Sequence, residues 1–497
     1  YKVTPKLTLN FGLRYEVVQP YRDDLGNEIN VQLRQDLPSV ANVADQSLHP
    51  VLVRAGSGGF YDGVNFRFTN PAVQVARDGR LGSRLMRTDY NNWAPRLGIA
   101  WSPNSRWSVR TGFGVFFSQE SGNSRFDLAR TLSGRAIRTP NNPLGTPEFN
   151  FQNFFSAAVL PVSVPTLGLT WGIDPNIATS YSMNYLLSVQ RQIGTGATFE
   201  ATYNGTQSRK LQNLVNANGP LPGTTAAALR APYPEFAGGI QYLVGNGTAN
   251  YNGLGLKLTQ RYSNGLTTLI GYTWSRALDV GSAIRGTSGD QFAENPRCIR
   301  CEYGPSAFNT PHRLTASVQY ELPIGKNKAV KLTNPVLNQI AGGWQVGGIF
   351  LTQSGRPLNP IGWNAAGQVV VPESNRLNAT GLSPELPDSQ RTIQRWFNPA
   401  AFAPALPGTF GTAGRNSLVG PHTWNVDFSA VKNFHFTESQ SLQLRYETFN
   451  TLNHPQWGNP NMGAWNTNTP TAPATFARIT STANDMRQMQ FALKYIF

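Results

Sequence analysis

The chain has 497 residues, of which 14% are charged, 40% hydrophobic and 11% aromatic, with Gly 48 and Pro 35. Globular domains carry about 25% charged residues; this much Gly and Pro does not suit a helical bundle, and the aromatic content is too high for a disordered chain. The net charge of +15 comes from Lys and Arg spread singly, not from the clusters of a nucleic-acid surface, and no window approaches the roughly 18 apolar residues of a membrane helix. What remains is a large β protein.

In chain order, apolar and polar residues alternate with period two in twelve segments, the mark of a strand with unlike faces. Leu7, Leu9, Phe11, Leu13 and Tyr15 alternate with Thr8, Asn10, Gly12, Arg14 and Glu16. Before them, Val3-Thr4-Pro5 reads as a turn whose preceding strand is reduced to Tyr1-Lys2. Trp93, Leu97, Ile99 and Trp101 come next, then Trp107, Val109, Phe113, Val115 and Phe117. Further segments run 181–189, 199–203, 254–262, 266–274, 314–322, 344–352, 426–434 and 442–448. The last alternates Met489, Phe491, Leu493, Tyr495 and Phe497 with polar residues such as Gln490 and Lys494.

Parity separates the charges. Arg14, Glu16, Arg96, Arg110, Glu200, Lys257, Arg261, Glu321, Arg445, Glu447 and Lys494 fall in the polar register of their strands. Lys432 is the exception, sharing register with Val426 and Phe428 near a strand end, where a long side chain can reach water. Parity fits a soluble sandwich, with apolar faces meeting each other. It equally fits an outer-membrane barrel, with one face in lipid and the other in a wet lumen.

Connection lengths decide between them. Short links at 102–106, around 194–196, at 263–265, 323–342 and 435–439 alternate with long ones at 17–91, 118–180, 207–250, 276–311, 354–423 and 451–486. Loops beyond about 15 residues are uncommon in compact domains. Long and short links on opposite edges are the pattern of an up-and-down transmembrane barrel with short periplasmic turns and long extracellular loops. Trp101 and Trp107 flank the first short turn, where an interfacial girdle belongs, and Trp93 and Trp274 mark the outer girdle. The expected fold class is therefore all-β, a transmembrane antiparallel up-and-down barrel.

The terminal alternation Met489, Phe491, Leu493, Tyr495, Phe497 resembles the C-terminal barrel-assembly strand of bacterial outer-membrane barrels. The segments Lys2–Glu16 and Asn92–Gly98 resemble the TonB-dependent outer-membrane receptors. Trp396–Phe402, Gly414–Pro421, Phe449–Pro455, Tyr272–Ser275 and Gly343–Gly348 resemble the Oar-like branch of that superfamily, and the likeness runs from residue 1 to 497. It implies outer-membrane localisation in a Gram-negative-type bacterium and plug-gated uptake of a large or scarce solute: a metal chelate, an oligosaccharide or a peptide. Implied partners are outer-membrane lipid and lipopolysaccharide, the TonB energising complex, the barrel-assembly machinery and the solute. Such receptors have about 22 strands and an N-terminal plug. The chain is thus expected to be the C-terminal part of one barrel domain, about 12 strands, without the plug and first strands. An outer-membrane structural or adhesion barrel and a passive porin-like channel stay open as alternatives.

No catalytic, cofactor or metal site is expected. The five histidines are scattered, no H-E-x-x-H or G-x-S-x-G occurs, and glycine pairs such as Gly112/Gly114 lack a following helix. Cys298 and Cys301 are the only cysteines; two thiols cannot make a four-cysteine zinc site, and a local disulfide in an oxidising exterior is expected. Candidate ligand contacts are the loop aromatics Trp396, Phe397, Phe402, Phe410, Trp457 and Trp465, with a further group at Phe149, Phe151, Phe154 and Phe155. Aromatic faces beside amides suit sugars or peptides; the competing reading is that these rings pack the loops. The +15 charge suits anionic lipopolysaccharide, an anionic solute, or the absence of an acidic partner segment, and lipid and segment bias are favoured over solute choice.

Overall fold

The computed structural model describes the chain except residues 65–66, 119–124, 131–166, 264, 284–292, 364–375, 407, 438, 463–464, 467–468 and 470. Thirteen strands form one path: β1 (Lys2–Thr4), β2 (Leu7–Glu16), β3 (Asn92–Trp101), β4 (Trp107–Phe117), β5 (Tyr181–Ile193), β6 (Ala197–Asn216), β7 (Ile240–Ser263), β8 (Leu266–Asp279), β9 (His312–Glu321), β10 (Trp344–Gln353), β11 (Thr423–His435), β12 (Ser441–Phe449) and β13 (Gln488–Ile496). Each pairs antiparallel with the next in the chain. All twelve alternating segments are strands of this wall, and the truncated strand before Pro5 is β1. No helix among the described residues is long and apolar enough to cross a membrane.

Register makes the faces continuous. Residues directly opposite in a ladder point to the same side, and the row Trp101, Val109, Val189, Ala201, Leu256, Tyr272, Leu314 crosses seven strands without a charge. A second row joins Ile270, Ala316, Phe350 and Val426, and a third Tyr320, Val346, Ala430, Tyr446 and Phe491. The other face carries Gly12, Arg96, Gly114 and Asn184 in one row and Glu321, Gln345, Val431 and Arg445 in another. The apolar rows lie on open surface: Phe11, Leu97, Leu187, Trp274 and Phe491 are all exposed. Trp93 and Trp274 stand exposed at the long-link edge and Trp101 at the short-link edge.

The buried core lies elsewhere. Within the wall strands the buried apolar residues are Ala94 and, at the outer ends of β6 and β7, Leu214, Val215, Ile240, Tyr242 and Leu243. The rest sit in the long links. One cluster joins Ile29, Val31, Leu52 and Phe60 to Tyr233 and Phe236; another joins Leu377, Phe397, Phe402 and Leu418 to Trp465 and Phe476. Each fully buried side chain of this kind contributes about 1.5–3 kcal/mol. The 17–91 link holds a small sheet of Ile29–Gln32, Val51–Arg54 and Gln74–Ala76. Val51–Arg54 is buried throughout, so no alternation marks it.

Two expectations need correction. β6 and β7 run 20 and 24 residues, far past the segments 199–203 and 254–262, and their connection is 217–239 rather than 207–250. A bilayer crossing takes about 9–11 strand residues; beyond it Asn204 to Arg209 hold the ladder through backbone pairing without an apolar face. Lys432 does not reach water. It is 2% exposed, donates to the Gly342 carbonyl and lies 4.8 Å over the Phe434 ring. The sheet does not close on itself: β1 and β13 are its edges, with no pairing between them among the described residues.

The turn between β7 and β8 needs a glycine at 265. Its φ is +84°, and a Cβ there would lie 2.8 Å from the Glu321 carbonyl, which belongs to the next strand. At the same edge Arg191 falls in the apolar register opposite Trp107 and sits 5.0 Å over its ring, a cation–π contact at the rim.

The continuous apolar face predicts that Leu187→Arg costs about 2–4 kcal/mol in a bilayer. Asn184→Arg, on the opposite face, should stay within about 0.5 kcal/mol. Urea unfolding in vesicles measures both.

Candidate functional site

At the outer end of β10 and the start of β11, the polar-face residues Leu351 and Gln353 pair with Asn425 and Thr423. The 354–422 link leaves β10 here and returns into β11, and together with the 450–487 link after β12 it borders an open-sided cavity of about 510 Å³. Its walls are Leu351, Gln353, Ser354, Gly355 and Arg356 from one side, Pro421, Thr423, Trp424 and Asn425 from the second, and Gln456, Trp457, Gly458, Asn459, Ala483 and Asn484 from the third.

Backbone approach holds the walls together. A Cβ at Gly355 would lie 1.9 Å from the Gly420 carbonyl, so only glycine permits the crossing of these two segments. Asn450 and Asn453 take left-handed conformations, φ +51° and +52°, which asparagine tolerates better than most side chains. Asn450 Oδ1 accepts from the His454 N–H at 2.9 Å, closing the turn after β12. Gln456 then grips the start of β11: its Oε1 accepts from Trp424 N at 2.9 Å and its Nε2 donates to Trp424 O. The His454 ring lies 4.2 Å from the Trp424 ring.

One lining group has unspent capacity. Asn425 Nδ2 donates to Asp427 Oδ1 at 2.7 Å, but Asn425 Oδ1 is buried with no hydrogen-bond partner. A buried acceptor left unmade costs about 1–3 kcal/mol, which a hydroxyl or amide of a bound molecule offsets. Two indoles, five side-chain amides and a free acceptor, with Arg356 among the lining residues, make a pocket suited to a polar solute.

Of the candidate aromatics, Trp457 lines this cavity. Phe397, Phe402 and Trp465 are 3%, 6% and 2% exposed and lie in the loop cluster, with Trp396 packed against it. Phe410 is half-buried in the 354–422 link. Phe149, Phe151, Phe154 and Phe155 lie outside the described residues. Asn425 and Gln456 were not singled out by sequence; the alternation of β11 marks Asn425 only as polar-face. No group of three His, Cys, Asp or Glu able to hold a metal occurs among the described residues.

A buried ionic junction ties the neighbouring links. Arg376 contacts Glu294 at 2.9 Å and Glu302 at 2.5 Å, and Arg415 pairs with Asp279 and donates to the Glu302 carbonyl at 2.6 Å. Glu294 also accepts from the backbone N–H of Arg376 and Gly411. Burial pushes the Glu294 carboxyl up to about 7, against the pull of Arg376. Beside this junction Cys298 and Cys301 are joined by a disulfide.

The sequence model of the family described as outer membrane beta barrel domain matches residues 1–490. No curated protein matches the chain. Among solved structures it is similar to the outer membrane transporter YddB from Escherichia coli, at 10% identity and TM-score 0.42, over 82% of this chain and 40% of that one. It is also similar to BauA, the ferric preacinetobactin receptor from Acinetobacter baumannii, at 9% identity and TM-score 0.39, over 83% and 37%. A third is the ferric-catecholate import receptor Fiu from E. coli K12, at 10% identity and TM-score 0.38, over 100% and 43%. The chain thus spans well under half the length of these structures.

Because the Glu294 carboxyl titrates above its unfolded value, its stabilising contribution is complete below about pH 4.5 and lost as pH rises through about 7. Protection of the Gly411 and Arg376 amides, corrected for intrinsic exchange, should fall about tenfold from pH 5 to pH 8. Glu294→Gln should flatten that trend in hydrogen-exchange mass spectrometry.

Proposed function

The chain belongs to the outer membrane β-barrel domain family and resides in the outer membrane, and on that premise we propose that it forms part of the wall and outer loops of a TonB-dependent transporter of the Oar-like branch. Its solute is an oligosaccharide or peptide, captured at the mouth and passed inward when a plug is displaced by force from the inner membrane. The observation that carries this reading is the mouth cavity. Two of its walls are the polar-face residues Gln353 and Asn425 at the ends of β10 and β11. A solute held there already touches the face that looks into the lumen.

The chemistry favours hydroxyls and amides. Trp457 supplies a flat apolar face for a sugar ring or peptide side chain, and the Asn425 carbonyl takes a donor. Inward from the cavity, the polar face of β10 and β11 offers Asp427, Ser429 and Gln345 as a path. The free edges at β1 and β13 cannot sit in hydrocarbon unpaired, so further strands complete the wall as one barrel domain. β13 is the strand offered to the barrel-assembly machinery.

Calorimetry against a panel of oligosaccharides and peptides tests the pocket. Asn425→Ala and Trp457→Ala should each weaken binding about tenfold, the equivalent of one hydrogen bond or ring contact. Uptake should stop in a strain lacking the energising complex. Persistent uptake there points to a passive channel, and binding without uptake in either strain to an adhesion barrel.

A further inference from the structure

The short-edge link between β9 and β10 contains a helix, Pro335–Ala341, that nothing in transport requires. It is seven residues long, well short of independent stability, and contacts from four residues hold it. Asn334 caps it, accepting from Val336 N and Leu337 N at 2.9 and 3.2 Å. Asn338 Oδ1 accepts from Lys326 N at 2.8 Å, turning that face toward the link. Trp344 Nε1 donates to the Ile340 carbonyl at 2.9 Å, and Lys432 donates to the Gly342 carbonyl just beyond the helix.

The last two contacts locate it. Trp344 and Lys432 are opposite one another in the apolar register, in line with Val346, Phe350 and Phe428. The helix is therefore fastened to the outward side of the wall, at its rim, and not beneath the lumen. Its remaining face is apolar and uncovered: Val336 is 65% exposed, Leu337 53% and Ile340 62%. The link carries Lys326, Lys328 and Lys331 with no acidic residue between 322 and 343. Lys328 pairs with Glu321, while Lys326 and Lys331 are exposed.

We propose that this link is an interfacial membrane anchor, with Val336, Leu337 and Ile340 seated among the acyl chains of the adjoining leaflet and Lys326 and Lys331 on anionic phospholipid headgroups. An apolar face continuous with the lipid-facing rows, flanked by lysines, is the pattern of a helix lying in the headgroup boundary. The assignment rests on the apolar face meeting lipid, and the edge it occupies is the periplasmic one in the reading above. It gives the short-link rim a fixed depth, and it supplies the carbonyl that Lys432 needs at the boundary of the hydrocarbon.

Nitroxide labels on the full chain test this in vesicles of phosphatidylethanolamine with a minor share of phosphatidylglycerol. Leu337→Cys and Ile340→Cys are the probes, Phe113→Cys the lipid-facing control and Leu382→Cys, exposed in an outer link, the aqueous one. The expected oxygen-to-nickel accessibility ratio at 337 and 340 is about tenfold above that at 382, an interfacial position. Values equal to the aqueous control, or shielding from both reagents as at a protein contact, overturn the anchor. If Phe113→Cys is itself accessible to nickel, the lipid-facing assignment fails instead. Adding Lys326→Gln and Lys331→Gln should raise nickel access at 337 severalfold in these vesicles and leave it unchanged in phosphatidylcholine; unchanged access in both overturns the headgroup contact.

Discussion

Hydrocarbon offers a backbone no partner for its N–H and C=O groups, and the whole molecule follows from that constraint. Antiparallel pairing of each strand with the next satisfies these groups along thirteen strands. Unbroken register, in turn, keeps one side chain in two on the lipid side. A single slip would turn a strand's Leu and Phe inward and its Arg and Glu into oil. The bulges fall where that penalty is absent: in the outer extensions of β6 and β7, at the rim between Gln260 and Ser263, and at the edge between Lys2 and Thr4.

The protein is consequently built inside out at the wall and conventionally in its loops. The wall presents its apolar residues outward, and its stability in lipid comes from ladder hydrogen bonds and lipid contact. The long links stand in water and bury Ile29, Leu52, Phe236, Leu377 and Trp465 as a soluble domain does. Ionic contacts of Arg376 and Arg415 cross between links far apart in the chain, so the loops form braced walls around the mouth. The aromatics divide accordingly. Phe397, Phe402 and Trp465 brace, and Trp457 lines the cavity.

The mouth pocket depends on that bracing. Its three walls come from separate segments between Leu351 and Asn484, brought together by the Gly355–Gly420 crossing and the Gln456 grip on Trp424. The buried Asn425 acceptor is tolerable only where a bound molecule or water completes it. At the opposite rim, the Pro335–Ala341 helix extends the lipid-facing rows beyond the last strand residue.

Alternation was legible because it is local: each strand that touches lipid on one side and water on the other must show it, and the twelve segments from Leu7 to Phe497 do. Link lengths added which edge is which, since a turn of Asn264-Gly265 and a loop of seventy residues cannot be confused. The outer halves of β6 and β7 and the buried strand Val51–Arg54 left no such trace, because loop residues packed on these strands remove the contrast between lipid and water that writes the pattern. Where a loop aromatic comes to lie was likewise decided only in three dimensions. Trp457 and Trp465 are eight residues apart and chemically identical, and the segments folded against them alone put one at the cavity wall and the other in the loop core.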